Sequence, residues 1–349
     1  MARKVMMLSF SEIRSMPKVV LHDHLDGGLR ATTIVELANQ QHIDLPISEP
    51  EKLAEWFYNE SVAKDLFRCL NAFSVSCSVM QTPESLRRVA YEMMADFAND
   101  NVIYVESRFC PFLHLQQGLS YSEVMDSIIL GMEQGKRDFG IEYGILICGI
   151  RNFTDEINFE LAKLCVEFYG EKVVGFDFAG ADIGFPLSRQ KNTLDLLHKH
   201  NIPLTVHAGE AGDIFSIIEA LDNKALRIGH ACQILNHKDE RLVNEVIKRM
   251  INEGIHVEIN LSSNLGTGVV SELDQHPVMH LFNNGVSLAL NPDDRLMFNN
   301  STTNEYWLLA EKYGINEDDI VKMNISALKA SFASQEIKDC LIEKYFSHG

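Results

Sequence analysis

The sequence has no CxxC pair, no internal repeat and no Gly/Ser-rich or Pro-rich linker. Nor does any stretch approach the roughly 20 apolar residues of a membrane helix. Positive charge is scarce: 31 Lys and Arg face 49 Asp and Glu, a formal net charge of -18. Such a chain repels nucleic acid and anionic membranes, which excludes both as expected partners. The cysteines at 69, 77, 110, 148, 165, 232 and 340 are odd in number and scattered. That pattern reads as reduced, mostly buried thiols in a cytoplasmic protein, with a catalytic cysteine as the minor alternative. The apolar run Val5 to Leu8 is too short for a secretion-signal core. These exclusions leave a soluble, intracellular protein, and the charge does not say which small molecule it binds.

What is present is core. Of 349 residues, 46% are hydrophobic, and apolar runs alternate with helical patterns. Strands are expected at 19–25, 102–109, 142–150, 172–180, 202–209, 226–231, 254–261 and 285–291. Several are almost continuously apolar, as strands buried on both faces are. Between them, residues 84–99 set Leu86, Val89, Ala90, Met93, Met94 and Phe97 on one helical face. Residues 240–253 do the same with Leu242, Val243, Val246, Ile247, Met250 and Ile251, and Gly254 marks the stop. Eight strands with intervening helices argue for a single (β/α)8 TIM barrel spanning 1–349. A doubly wound open sheet is the alternative, and periodicity alone does not separate the two. About 75 residues part the first strand from the second. They read as extra helices inserted after strand one, at about 46–80, positioned to cover a pocket.

Polar residues gather where these strands end. His22 and His24 close strand one, Asp177 lies near the end of strand four, and His207 and Glu210 close strand five. His230 ends strand six, and Asp293 and Asp294 follow strand eight. In a barrel all of them lie on the C-terminal face, where active sites sit. Side chains alternate along a strand, so His22 and His24 point the same way and aim two nitrogens at one place. Three histidines and an aspartate suit zinc, which ionises a bound water near pH 7. Each piece has a plainer reading. An HxH pair is more often structural. HAGE (207–210) serves equally as an acidic helix start. His230 alone reads as a core histidine, and Asp293-Asp294 as a turn or cap. Gly27 and Gly28 read as turn glycines. The metal reading rests on the constellation.

The motifs HDHLDG (22–27), FDFAG (176–180), HAGE (207–210), GH (229–230), LSSN (261–264) and NPDDR (291–295) resemble, in order and spacing, the adenosine deaminase family of metal-dependent deaminases. The likeness runs from about residue 15 to about 335 and is strongest to bacterial members. It implies hydrolysis of adenosine and 2′-deoxyadenosine to inosine and deoxyinosine with loss of ammonia. It implies one zinc per chain, held by His22, His24, His207 and Asp293. Glu210 would donate a proton to purine N1, and His230 would orient the attacking hydroxide. Asp294 would bond N7 and the Gly180 N–H would bond N3. Asp26 would hold the ribose 5′-hydroxyl, with His24 also against the substrate, and Asp177 would support the ligands from behind.

The sequence departs from the family pattern at several points. Ala231 stands where glycine is usual, Pro292 where Thr or Ser precedes the aspartate ligand, and Arg295 where proline is frequent. Ala181-Asp182 replaces an acidic pair. No ligand and no acid is lost, so these changes bear on preference more than on reaction. The HxE and PCxxC motifs of cytidine-type deaminases are absent. Strand four also lacks the lysine that bridges two metals in related hydrolases. An acid at the 5′ end argues against a nucleotide substrate, with Arg30 close by in sequence. Adenine or aminofutalosine-type substrates, a non-catalytic zinc-binding relative and the oligomeric state stay open at this stage.

Overall fold

The computed structural model describes residues 8–347. Most of the run Val5 to Leu8, on which the secretion-signal expectation rests, and the two C-terminal residues of the expected 1–349 domain lie outside them. Eight strands make one parallel sheet in sequence order, the arrangement of a (β/α)8 barrel. They are β1 (Lys18–His24), β2 (Val102–Phe109), β3 (Glu142–Ile150), β4 (Val173–Ala179), β5 (Leu204–Ala208), β6 (Arg227–His230), β7 (His256–Ile259) and β8 (Ser287–Leu290). The open-sheet alternative falls because the segment just beyond β8 meets β1 at a parallel bridge between Asp293 and Asp23. The later strands are shorter than their apolar runs, because the flanking residues peel away into the loops that carry polar groups.

Helices coat the sheet for the reasons their sequences give. Pro83–Asn99 starts at a Thr82–Ser85 capping box with Pro83 in its first turn. All six apolar residues of its expected face are buried, each contributing about 1.5–3 kcal/mol where the side chain is large. Glu240–Glu253 is capped by Asp239 and stops at Gly254, whose φ is +68°. Its buried stripe is narrower than expected. Val243, Val246, Ile247 and Met250 are buried, but Leu242 is half-buried and Ile251 exposed. A helix against a sheet covers only about a third of its circumference.

Between β1 and β2 run helices Ala31–Gln41, Pro50–Ser61, Leu66–Ser78 and Pro83–Asn99. Leu66–Ser78 brings Cys69 and Phe73 to the wall of the cavity at the C-terminal end of the barrel.

The barrel interior is not wholly apolar. Glu106, Arg108, Asp177, Arg227 and Glu258 are buried inside it. Arg227 reaches Glu106 at 2.5 Å and Glu258 at 2.7 Å, and its guanidinium stacks on Phe332 at 3.8 Å. Buried charge is tolerated only when paired in this way.

Candidate active site

The two histidines of β1 face the barrel axis, and two carboxylates from below set the chemistry of His22 and of His207 on β5. His22 Nδ1 lies 2.7 Å from Glu258 Oε2, and His207 Nδ1 lies 3.1 Å from Asp177 Oδ2. A carboxylate accepts, so both Nδ1 atoms carry the hydrogen, which makes Nε2 the lone-pair atom of each neutral ring. Burial and Arg108 oppose a charge on His22, but Asp293 and Glu258 outweigh them and raise its pKa. Arg108 donates to both carboxylates, at 2.9 Å each, and also to the Leu21 carbonyl. Burial would raise the pKa of Asp177 and Glu258, but His207 and Arg108 beside Asp177, and Arg108 and Arg227 beside Glu258, outweigh it and hold both carboxyls low. Both stay ionised and keep orienting the imidazoles.

The lone pairs then converge. His24 Nε2 and His207 Nε2 are 3.2 Å apart. Asp293 Oδ1 lies 3.1 Å from His22 Nε2 and 3.6 Å from His24 Nε2. His22 Nε2 is buried and makes no hydrogen bond to any described residue. Burial pushes His24 well down and His207 down as well, so both are neutral bases. Ligand atoms of His22, His24 and His207 lie within 4.8 Å of one another, as do those of His22, His230 and Asp293, and of His24, Asp293 and Asp294. Nitrogen and carboxylate atoms packed this closely repel unless a proton or a metal cation sits among them. Imidazole nitrogens with a carboxylate are a donor set suited to zinc, so the residues fit the metal.

Backbone geometry supports the cluster. Gly229 is needed for close approach: a Cβ there would sit 3.0 Å from the His22 ring. Gly27 has the same use, since its Cβ would fall 2.0 Å from Asp294 Oδ1. Gly27 and Gly28 lie in the turn Leu25–Gly27 and its cap, as expected of turn glycines, but neither has positive φ, so close packing is what requires them. The residue substitutions noted in sequence have visible consequences. His230, Ala231 and Asp293 are all left-handed, at φ +71°, +53° and +59°, which explains why glycine would suit position 231.

Glu210 is not in a helix start. Gly209 turns the chain at φ +64°, and the next helix, Ile214–Asp222, is capped by Asp213. The Asp182 carboxylate accepts from the backbone N–H groups of Glu210 (3.1 Å), Ala211 (3.1 Å) and Gly212 (2.7 Å), fixing this turn. Glu210 is 6% exposed. Burial first, then Asp182 and Asp293, raise its pKa well above the ordinary carboxyl range. These surroundings favour its protonated form.

A chain of hydrogen bonds sets the tautomer of His230. The Val278 N–H donates to His276 Nδ1 at 3.1 Å, so His276 Nε2 carries the hydrogen and donates to Asn264 Oδ1 at 3.2 Å. The Asn264 amide then faces His230 Nδ1 with its NH2, at 3.0 Å. His230 consequently presents an Nε2–H, 3.8 Å from Glu210 Oε2.

Asp26, Gly180, Glu210, His230, Asp293 and Asp294 all line one cavity with His24 and His207. His22 and Asp177 lie buried beneath it. Burial raises Asp26 to about 7 and Asp294 well above its usual range. Arg30 turns away from the cavity and pairs with Asp96 on the outer surface at 2.6 Å. Sequence reasoning missed Arg108, Glu258, Asp182, Asn264 and His276. Glu106, Arg108 and Glu258 carried a signal, being charged residues inside otherwise apolar strands; Asn264 surfaced only as the end of LSSN and Asp182 only as a departure, neither with a role, and His276 carried none.

Fold and donor set together define a barrel of the metal-dependent amidohydrolase type. The profile of the adenosine deaminase family matches residues 17–347. An adenosine deaminase of Mycobacterium ulcerans is 37% identical over 98% of each chain. An Arabidopsis N6-mAMP deaminase superposes with a TM-score of 0.84 at 29% identity, over 97% of this chain and 99% of that one. The adenine deaminase of Arthrobacter aurescens shares the fold, with a TM-score of 0.86 at 21% identity over 95% and 98%. The chain belongs to the adenosine deaminase family. Among the described residues, no helix is long and apolar enough to cross a membrane.

Proposed function

We propose that the protein deaminates adenosine and 2′-deoxyadenosine hydrolytically, with one zinc ion per chain, in cytoplasmic purine salvage. The observation that carries this reading is a buried Glu210, its pKa raised, lining one cavity with the closely approached Nε2 atoms of His24 and His207. His22, His24, His207 and Asp293 would hold the zinc, with Asp177 and Glu258 orienting two of the imidazoles. Zinc supplies a water that ionises near neutral pH.

The chain's own groups do the rest. Glu210 gives its proton to N1 of the purine, which leaves C6 short of electrons and open to attack. The His230 Nε2–H orients the attacking oxygen and stabilises charge on it. Asp294, kept protonated by burial and by Asp293, donates to N7, which can only accept. The Gly180 N–H bonds N3. Asp26 accepts the 5′-hydroxyl, and His24 packs against the sugar side. Ammonia leaves C6 and inosine or deoxyinosine remains.

A nucleoside fits better than a nucleotide. No Lys or Arg lines the cavity among the described residues, so nothing there neutralises a 5′-phosphate, and Asp26 opposes one. The thiols of Cys69, Cys110 and Cys148 in the cavity wall suit a reducing compartment. The test is loss of ultraviolet absorbance with purified protein and adenosine, adenine, AMP or a 5′-modified adenosine, with metal assayed on the same sample. Turnover of adenosine at about one zinc per chain supports the reading. Turnover of AMP or adenine alone would overturn the assignment of the 5′ end, and zinc binding without any turnover would overturn the enzyme.

A further inference from the structure

The barrel closes at its active-site end without a regular ladder between β8 and β1. Among the described residues the strands meet at one bridge, in which the His24 N–H donates to the Asp293 carbonyl and the Asp293 N–H to the His22 carbonyl, both at 3.3 Å. Below it, side chains span the gap. Asn291 Oδ1 accepts from the N–H groups of Leu21 and His22, and Asn324 Oδ1 from that of Val19. This seam runs through the site, with His22 and His24 on one side and Asp293 on the other. Two hydrogen bonds of 3.3 Å are long ones, and Asp293 adopts the left-handed backbone (φ +59°), a conformation that persists only where its surroundings enforce it.

The outer face of the seam carries a firmer tie. Asp23 alternates with the two histidines and points away from them. Arg295 Nε donates to Asp23 Oδ1 at 2.8 Å, and Ser107 of β2 donates to Asp23 Oδ2 at 2.7 Å. The Asp23 side chain is 0% exposed and that of Arg295 9%, so the pair is shielded from solvent screening. The guanidinium lies over the Phe97 ring at 4.6 Å, with Asp96 3.5 Å away. Both partners sit one or two residues from groups proposed to hold zinc, on opposite sides of the seam.

We propose that the Asp23–Arg295 pair is a positioning clamp. It holds the HDH and PDD segments at the separation the metal needs and so sets how slowly the metal is lost. The inference rests on the metal reading above, and neither residue touches substrate.

The experiment follows transfer of zinc from the loaded full-length protein to a colorimetric chelator, alongside melting of loaded and metal-free forms. The variants are R295M, R295K, D23N and the double D23N/R295M. The clamp predicts zinc release about 10- to 100-fold faster in R295M and D23N, the range for groups that orient ligands, and partial recovery in R295K. The double variant leaves no unpaired buried charge, so it keeps the fold even where a single variant does not. The clamp predicts that it regains melting temperature yet still releases zinc fast. Wild-type release from the double variant overturns the clamp alone. A wild-type protein that takes up no zinc overturns the metal reading and the clamp with it.

Discussion

His22 Nδ1 and Glu258 Oε2 lie 2.7 Å apart, and neither side chain is exposed to solvent. This one contact fixes which nitrogen of His22 faces the cluster. Glu258 also pairs with Arg108 and Arg227, so its charge is shared among three partners. Glu258→Gln would remove that charge while keeping the shape. The expected result is zinc affinity lower by about 10- to 100-fold and a fold weaker by about 3 kcal/mol, since two buried guanidinium groups lose a counter-charge. Zinc titration with chemical denaturation of the metal-free form checks both. Unchanged zinc affinity would show that His22 needs no orienting group.

Glu210→Gln tests the proton donor. It keeps the size of the side chain and touches none of the groups proposed to hold zinc. Zinc content should match wild type while kcat/KM falls by about 10²- to 10⁴-fold. The pH profile gives a second readout. The raised pKa of Glu210 means that the donor form exists below that pKa and is lost as pH rises through it. Wild-type kcat/KM should therefore fall on the alkaline side, and the residual activity of the variant should lack that limb. An identical alkaline limb in the variant would assign it to another group.

The contrast between Glu210 and its support shows what the sequence discloses. His22 and His24 were legible because a strand repeats every two residues, so their common direction follows from local geometry. Glu106, Arg108 and Glu258 were half legible. A charge inside a strand buried on both faces must be paired, but the partner lies on another strand and its identity needs the register. Asp182 was opaque, because its role depends on a loop folding back onto the turn after β5 from 28 residues away. The Asn264–His276 relay was opaque for the same reason. The barrel was legible as eight runs, but its closure was not. The seam joins the two ends of the sheet, and no local pattern reports on a contact 270 residues long.

Asp26 sets the expected discrimination at the sugar. It is 3% exposed, and its Oδ1 has no hydrogen-bond partner among the described residues, which leaves it free to accept a hydroxyl. Asp26→Ala should lower kcat/KM for adenosine by about 10- to 100-fold, the value of a hydrogen bond to a charged or polarised group. It should leave 5′-deoxyadenosine, which has no hydroxyl to lose, close to its wild-type rate. Side-by-side kinetics on the two substrates decide the matter. Equal losses on both would place Asp26 in the general architecture of the pocket and not at the 5′ end.

His276 links the tautomer of His230 to acid stability. Burial lowers its pKa to about 3 from an ordinary value of 6.5. The folded protein keeps this imidazole neutral between those limits, while the unfolded chain protonates it. Its contribution to stability is thus complete above about pH 6.5 and is eroded as pH falls toward 3, by up to about 1.4 kcal/mol per unit. His276→Leu would leave the Val278 N–H and Asn264 Oδ1 without partners. At pH 8 the variant should be less stable than wild type by about 1–3 kcal/mol. At pH 5 the gap should shrink or reverse, because only wild type carries the protonation penalty. Activity should fall only in part at both pH values, since Asn264 loses its orientation while Asn260 Nδ2 still faces His230 Nδ1 at 3.1 Å. Denaturant melts of the two proteins at pH 8 and pH 5 measure the difference directly, and the other titrating groups cancel in it. A gap that widens in acid would mean that His276 is protonated in the folded protein. The Val278 N–H could then no longer donate to His276 Nδ1, while Nε2–H would still donate to Asn264 Oδ1.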